Sequence, residues 1–158
     1  MKSGTKVHLL TYEDEDLEDY LLGIHTDLEA FQIAFSLNKF CEAKFARIED
    51  ILLNNHKAAF CLYEWKNILM DVNTLLFSNK YKQESIQENT NIDTLFDLPL
   101  RNEVSLIPEF KQVDFFIKSS HLETIQTLSK SLIPERGITM TYEVPSNKIK
   151  NRLNLIFD

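Results

Sequence analysis

Two histidines and one aspartate carry the residue types best suited to proton transfer in this chain. An imidazole titrates nearest neutral pH, and a carboxylate can hold its tautomer. His25 and His121 flank two helix starts, at the carboxyl ends of apolar runs. If the two halves pack side by side, both rings approach one sheet edge, with Asp27 close by. A helix N-terminus disfavours the imidazolium, so each ring would stay neutral and able to act as a base or ligand. Asp114, inside the apolar run 113–118, would complete an acid–base set. The same rings fit ordinary hydrogen bonding equally well.

Other chemistry is poorly supplied. No His-x-x-x-His or Cys-x-x-Cys spacing is present, so no metal is expected. There is no Gly-x-Ser-x-Gly elbow, P-loop or Gly-x-Gly-x-x-Gly, and only 3 glycines are available to cradle a phosphate. No cofactor is expected. Residues 13–19 hold six carboxylates in seven positions. They lack the glycine and ligand spacing of a calcium loop, and they read as solvated charge.

The elements that must position these residues follow from periodicity. A strand is predicted at 6–12 and a buried one at 20–25. Thr26 and Glu29 form a capping-box pattern, which predicts a helix over 27–40 with Leu28, Phe31, Ala34, Phe35, Leu37 and Cys41 on its inner face. Strands follow at 44–51 and 58–65, then 74–78 as the return of a hairpin. Residues 80–94 are polar and aperiodic, the pattern of a mobile surface loop, and Leu95, Phe96, Leu98 and Leu100 pin its far end. A strand at 113–118 leads into a second capping box, Ser120 with Glu123. That box opens a helix with Leu122, Ile125, Leu128 and Leu132 inward. Residues 138–144 and 153–157 read as strands.

Aligning Leu28 with Leu122 brings the two strand–helix–strand units into register. Thr26 then meets Ser120, Glu29 meets Glu123 and Gln32 meets Gln126. Two such units are the ingredients of a split βαβ, ferredoxin-like or ACT-like fold. The expectation is one α+β domain, 1–158. It would be a two-layer sandwich with a mainly antiparallel sheet, two helices on one face, and an inserted hairpin and long loop. The first unit and hairpin span 6–79, the loop 80–100, and the second unit and tail 107–158.

Ile107-Pro108-Glu109, three residues, then Val113-Asp114 and an aromatic resemble the signature of the IPExxxVDY family of small bacterial proteins. The acidic N-terminal segment, the helix after His25, Glu64-Trp65 and Asn79-Lys80 extend the likeness. The family's Tyr is Phe115 here, so a phenolic role is lost while a packing role survives. The resemblance implies no activity. On the residues alone, Pro108 stiffens the entry to the strand, and Glu109 is placed to bond turn amides. Asp114 faces the side of Phe116, opposite Val113, Phe115 and Ile117. It needs donors such as Lys111, Arg47 or backbone N–H groups, and so reads as a polar pin of strand register, with a carboxylate that binds a partner or ligand as the alternative.

The net charge of −7 disfavours nucleic acid and anionic membranes. Lys148, Lys150 and Arg152 are too few and too interleaved with Asn to reverse that. Cys41 and Cys61 read as buried thiols. No signal peptide or membrane span is visible, which predicts a cytoplasmic protein. The leading expectation is a non-catalytic module binding a protein partner. The second is an ACT-like regulatory domain holding a small molecule near His25, Thr26 and Ser120. The third is an enzyme using His25 or His121 with Asp114. An open sheet edge would also allow a homodimer.

Overall fold

Alternating apolar side chains and two amphipathic stripes give eight strands and two helices in the computed structural model, which describes residues 19–53, 57–84, 101–145 and 148–149. The expected strands at 6–12 and 153–157, most of 13–19, the turn at 54–56 and the pin at 95–100 lie outside the described residues. In chain order the elements are β1 (Tyr20–Thr26), α1 (Ala30–Phe40), β2 (Ala46–Leu53), β3 (Ala58–Asn67) and β4 (Val72–Ser78). They continue as β5 (Lys80–Glu84), β6 (Arg101–Ser105), β7 (Phe115–Ser119), α2 (Leu122–Leu132) and β8 (Ile138–Val144).

Six strands form one sheet in the order β2-β3-β4-β7-β1-β8, and every neighbouring pair is antiparallel. The fold is α+β with a mainly antiparallel sheet. Since β7 and β8 both oppose β1 between them, β7–α2–β8 is a parallel crossover split by β1. By the same logic β1 and β4 run parallel on either side of β7. Among the described residues no helix is long and apolar enough to cross a membrane.

The strand period of two divides the core between the faces. Leu22, Ile24, Leu76 and Ile117 join Ile33, Ala34 and Leu37 of α1 and Ile125, Leu128 and Leu132 of α2. Leu21, Phe77 and Phe116 point the other way, into a cluster with Phe60, Leu106, Ile107 and Val113. Tyr81 of β5 and Val104 of β6 pack against that second cluster. Both faces of β1, β4 and β7 are therefore dry, which is why their sequences read as apolar runs.

Four expectations are corrected. Residues 80–84 are not loop: they pair with 101–105 as β5–β6, and Tyr81 meets the Phe60 ring at 6.4 Å between centroids. The first helix begins later than predicted, because β1 extends through Thr26. Thr26 is used elsewhere, and the Gln32 side chain instead accepts from the Glu29 N–H at 2.8 Å.

The inner face of α1 also differs. Ala30, Ile33, Ala34 and Leu37 are buried, while Phe31 and Phe35 are 62% and 67% exposed. Two apolar stripes compete in that sequence, and the narrower one, with its two alanines, lets the helix approach the sheet closely. Finally, α2 is capped by His121 rather than Ser120, which is exposed. The register that aligns Leu28 with Leu122 therefore fits β1 and β7 but not the caps, Glu29 and His121.

Candidate functional site

Pro108 cannot continue a strand, and it holds Ile107 extended at φ −116° and ψ 92° before a single 3-10 turn, Pro108–Phe110. That turn folds back on Asn79, which directly follows β4 and is fully buried. Asn79 Nδ2 donates to the carbonyls of Phe110 and Val113, each at 2.9 Å, and its Oδ1 accepts from the Ile107 N–H at 2.8 Å. Its backbone N–H donates to the Asp114 carbonyl, and its own carbonyl accepts from the Leu106 N–H. The amide thus has both donors and its acceptor engaged.

Asp114 completes this knot. Its Oδ2 accepts from the Thr26 N–H at 2.9 Å, and its Oδ1 pairs with Lys80 Nζ at 2.9 Å. The donors are a backbone N–H, as expected, and Lys80; Arg47 pairs with Asp50 on β2 instead. The residue precedes β7, so strict alternation begins only at Phe115, and Val113 joins the Phe116 cluster rather than opposing it.

Thr26 Oγ1 in turn donates to the Gly137 carbonyl at 2.6 Å and accepts from the Leu28 N–H at 3.0 Å. Gly137 has φ +92°, and a Cβ there would lie 2.8 Å from Leu28. Glycine is required at that corner. Glu109 sits on the 3-10 turn with an exposed side chain.

The opposite end of the sheet is built differently. Trp65 and Asn67 of β3 and Met70 of the β3–β4 turn face His121, Glu123, Thr124, Thr127 and Leu128 of α2 across a cleft of about 220 Å³. Cys41, at the end of α1, also lines it. His121 is fixed at both ends of its connection to the chain. Its N–H donates to Ser119 Oγ at 3.2 Å, and Ser119 Oγ also accepts from the buried Thr74 hydroxyl. Its ring Nδ1 accepts from the Thr124 N–H at 3.3 Å and lies 2.9 Å from Thr124 Oγ1. A ring nitrogen that accepts carries no proton, so the neutral ring holds its proton on Nε2.

Large apolar side chains at or next in sequence to cleft residues stand in solvent. In the β3–β4 turn Ile68 is 90% exposed and Leu69 99%, and Met70 and Phe40 are more than half exposed. Cys41 and Cys61 are both free thiols and only half-buried, contrary to the expectation of buried ones.

The six residues singled out from sequence do not assemble into one site. Thr26 and Asp114 meet at the knot, with Glu109 on the turn beside it. His121 lies at the cleft, next to the exposed Ser120. His25 stacks on Tyr142 of β8, with ring centroids 5.5 Å apart and Nε2 3.3 Å from the phenol oxygen. The expected meeting of His25 and His121 fails because β1 and β7 are antiparallel neighbours, with Tyr20 opposite Ser119 and Ile24 opposite Phe115. Their carboxyl ends point to opposite ends of the sheet, a separation of about 17 Å for five residues of strand.

Sequence reading missed Trp65, Met70 and the threonines of α2 as cleft residues. The apolar run Ile68-Leu69-Met70 astride a hairpin turn was the signal available. Comparison with protein-family models, curated proteins and solved structures finds no match to this chain.

Proposed function

We propose that this chain is a divergent IPExxxVDY family protein, working in the cytoplasm as a non-catalytic module that binds a protein partner at the cleft end. The strand order β8-β1-β7-β4, with a helix after β1 and another after β7, supports a ferredoxin-like, ACT-like core. In this reading the two helices form one layer of a sandwich, and β2–β3 and β5–β6 are additions to it.

One observation carries the reading of function: Met70, which lines the cleft with Trp65, is more than half exposed, and so are Ile68 and Leu69 just before it and Phe40 next to the lining residue Cys41. A monomer gains nothing by holding such side chains in water, whereas a partner that covers them recovers their transfer free energy. The test is affinity capture from native cell extract with the full chain and with Ile68→Asp/Leu69→Asp. The full chain should retain a stoichiometric partner, and the variant should lose it while keeping its far-UV spectrum. Equal capture by both would remove this surface from consideration.

A second reading, a regulatory domain holding a small molecule, is favoured by the cleft itself. Its about 220 Å³ lies below the usual span of about 300–1,000 Å³ for drug-sized ligands, so the occupant would be small. A thermal-shift panel of metabolites separates the two readings, since only the second predicts a response. The third reading, an enzyme using His25 or His121 with Asp114, is not proposed: His121 lies at the other end of the sheet from Asp114, His25 is engaged by Tyr142, and Asp114 is held by the Thr26 N–H and Lys80.

A further inference from the structure

The six-stranded sheet has two edges, and they are guarded very differently. An edge strand presents unpaired N–H and C=O groups on alternate residues, and proteins blunt such edges with charges, bulges or prolines. The β2 edge is blunted twice. It carries Arg47, Glu49 and Asp50, and its pairing with β3 is irregular between Ile48 and Ile51. The β8 edge has one irregularity, beside His25 and Thr26, which leaves Met140–Val144 in unbroken register with Leu21–His25. Within Met140-Thr141-Tyr142-Glu143-Val144 the single charge is Glu143, and Pro145 follows outside the strand. Among the described residues no strand pairs with the outer side of β8.

We propose that β8 is the seam of a homodimer, in which two copies pair antiparallel through Met140–Val144 about a twofold axis at Tyr142. The occupant is a second copy because this segment is complementary to itself. The axis sets Met140 against the partner's Val144 and Tyr142 against the partner's Tyr142, all on the face that Tyr142 shares with Leu21 and Phe116. On the helix-bearing face it sets Thr141 against the partner's Glu143, so no two like charges meet. Met140, 49% exposed in one chain, is covered in the pair. The same operation on β2 would bring its three charged residues into one seam. Isologous pairing of this kind closes at two copies, since among the described residues each β8 has only one unpaired side. The result is a continuous twelve-strand sheet with the charged β2 edges outermost and the cleft of each copy open. The dimer is independent of whether a partner binds at that cleft.

Light scattering on the full chain tests the seam, and the expected mass is that of two chains. Met140→Lys places a cation in the seam and should raise the dimer dissociation constant by at least about tenfold, with the far-UV spectrum retained. Register is read by cysteine trapping in a background with Cys41 and Cys61 replaced by Ser. Tyr142→Cys should cross-link to its own copy on mild oxidation, and Met140→Cys should not. A wild-type monomer at high protein concentration would overturn the proposal and hand the edge to another segment or to nothing. So would a dimer that survives Met140→Lys, or cross-linking as efficient at position 140 as at 142.

Discussion

The two ends of the sheet hold similar residue types to opposite effect. At the knot, an aspartate, a threonine and an asparagine are bonded to backbone groups, and a lysine is paired with the aspartate. At the cleft, a histidine, a glutamate and two threonines border an opening, and the apolar residues around them face water. Reactive residue types indicate a site only where a polar atom is left over and a cavity meets it. Among the described residues no buried side-chain polar atom lacks a hydrogen-bond partner, so the knot has nothing to spare.

This contrast predicts a gradient of mutational effects. Asn79→Ala should be the most damaging change. It strips three hydrogen bonds from a fully buried position and leaves two carbonyls and an N–H unpaired, a loss of about 3 kcal/mol or more in urea unfolding. Asp114→Ala comes next at about 2 kcal/mol, because its bonds involve a charged group that is one-quarter exposed and partly screened. At the cleft end, His121→Ala removes the cap of α2 and should cost about 1 kcal/mol, with His121→Asn recovering most of it. Ile68→Asp/Leu69→Asp should change stability by less than about 0.5 kcal/mol, since both side chains are already in water. An Asn79→Ala protein as stable as wild type, or a large loss from the turn variant, would dissolve the contrast.

Much of the fold was legible because its strands are bounded by strong signals. β1, β3, β4, β7 and β8 lie within about two residues of where alternation placed them. Reading Asp114 as a register pin rests on a carboxylate within an apolar run; its place just before β7, the face of Val113 and its lysine partner all differ from that reading. Lys80 was hidden because β5 carries one large apolar residue, Tyr81, in five, too few to reveal a strand that is stabilised by packing on Phe60. The face of α1 was illegible for another reason. Its sequence supports two apolar stripes, and the sheet, not the helix, chooses between them.

The caps were misplaced because β1 runs on through Thr26, whose hydroxyl serves the Gly137 corner. The histidines meet only if the two units pack side by side. The antiparallel pairing of β1 with β7 is a long-range property that no local pattern reports. The cleft was invisible for the same reason, since its walls come from residues 41, 65–70 and 121–128.

In the proposed division of roles, the Ile107–Asp114 motif holds the fold while the opposite end meets the partner. Asp114→Ala tests it most directly, with urea unfolding and partner capture measured on the same preparation. A lower urea midpoint with wild-type capture, at a temperature where the variant remains folded, is the expected result. An unchanged midpoint with capture lost would contradict the account and return the motif carboxylate to a binding role.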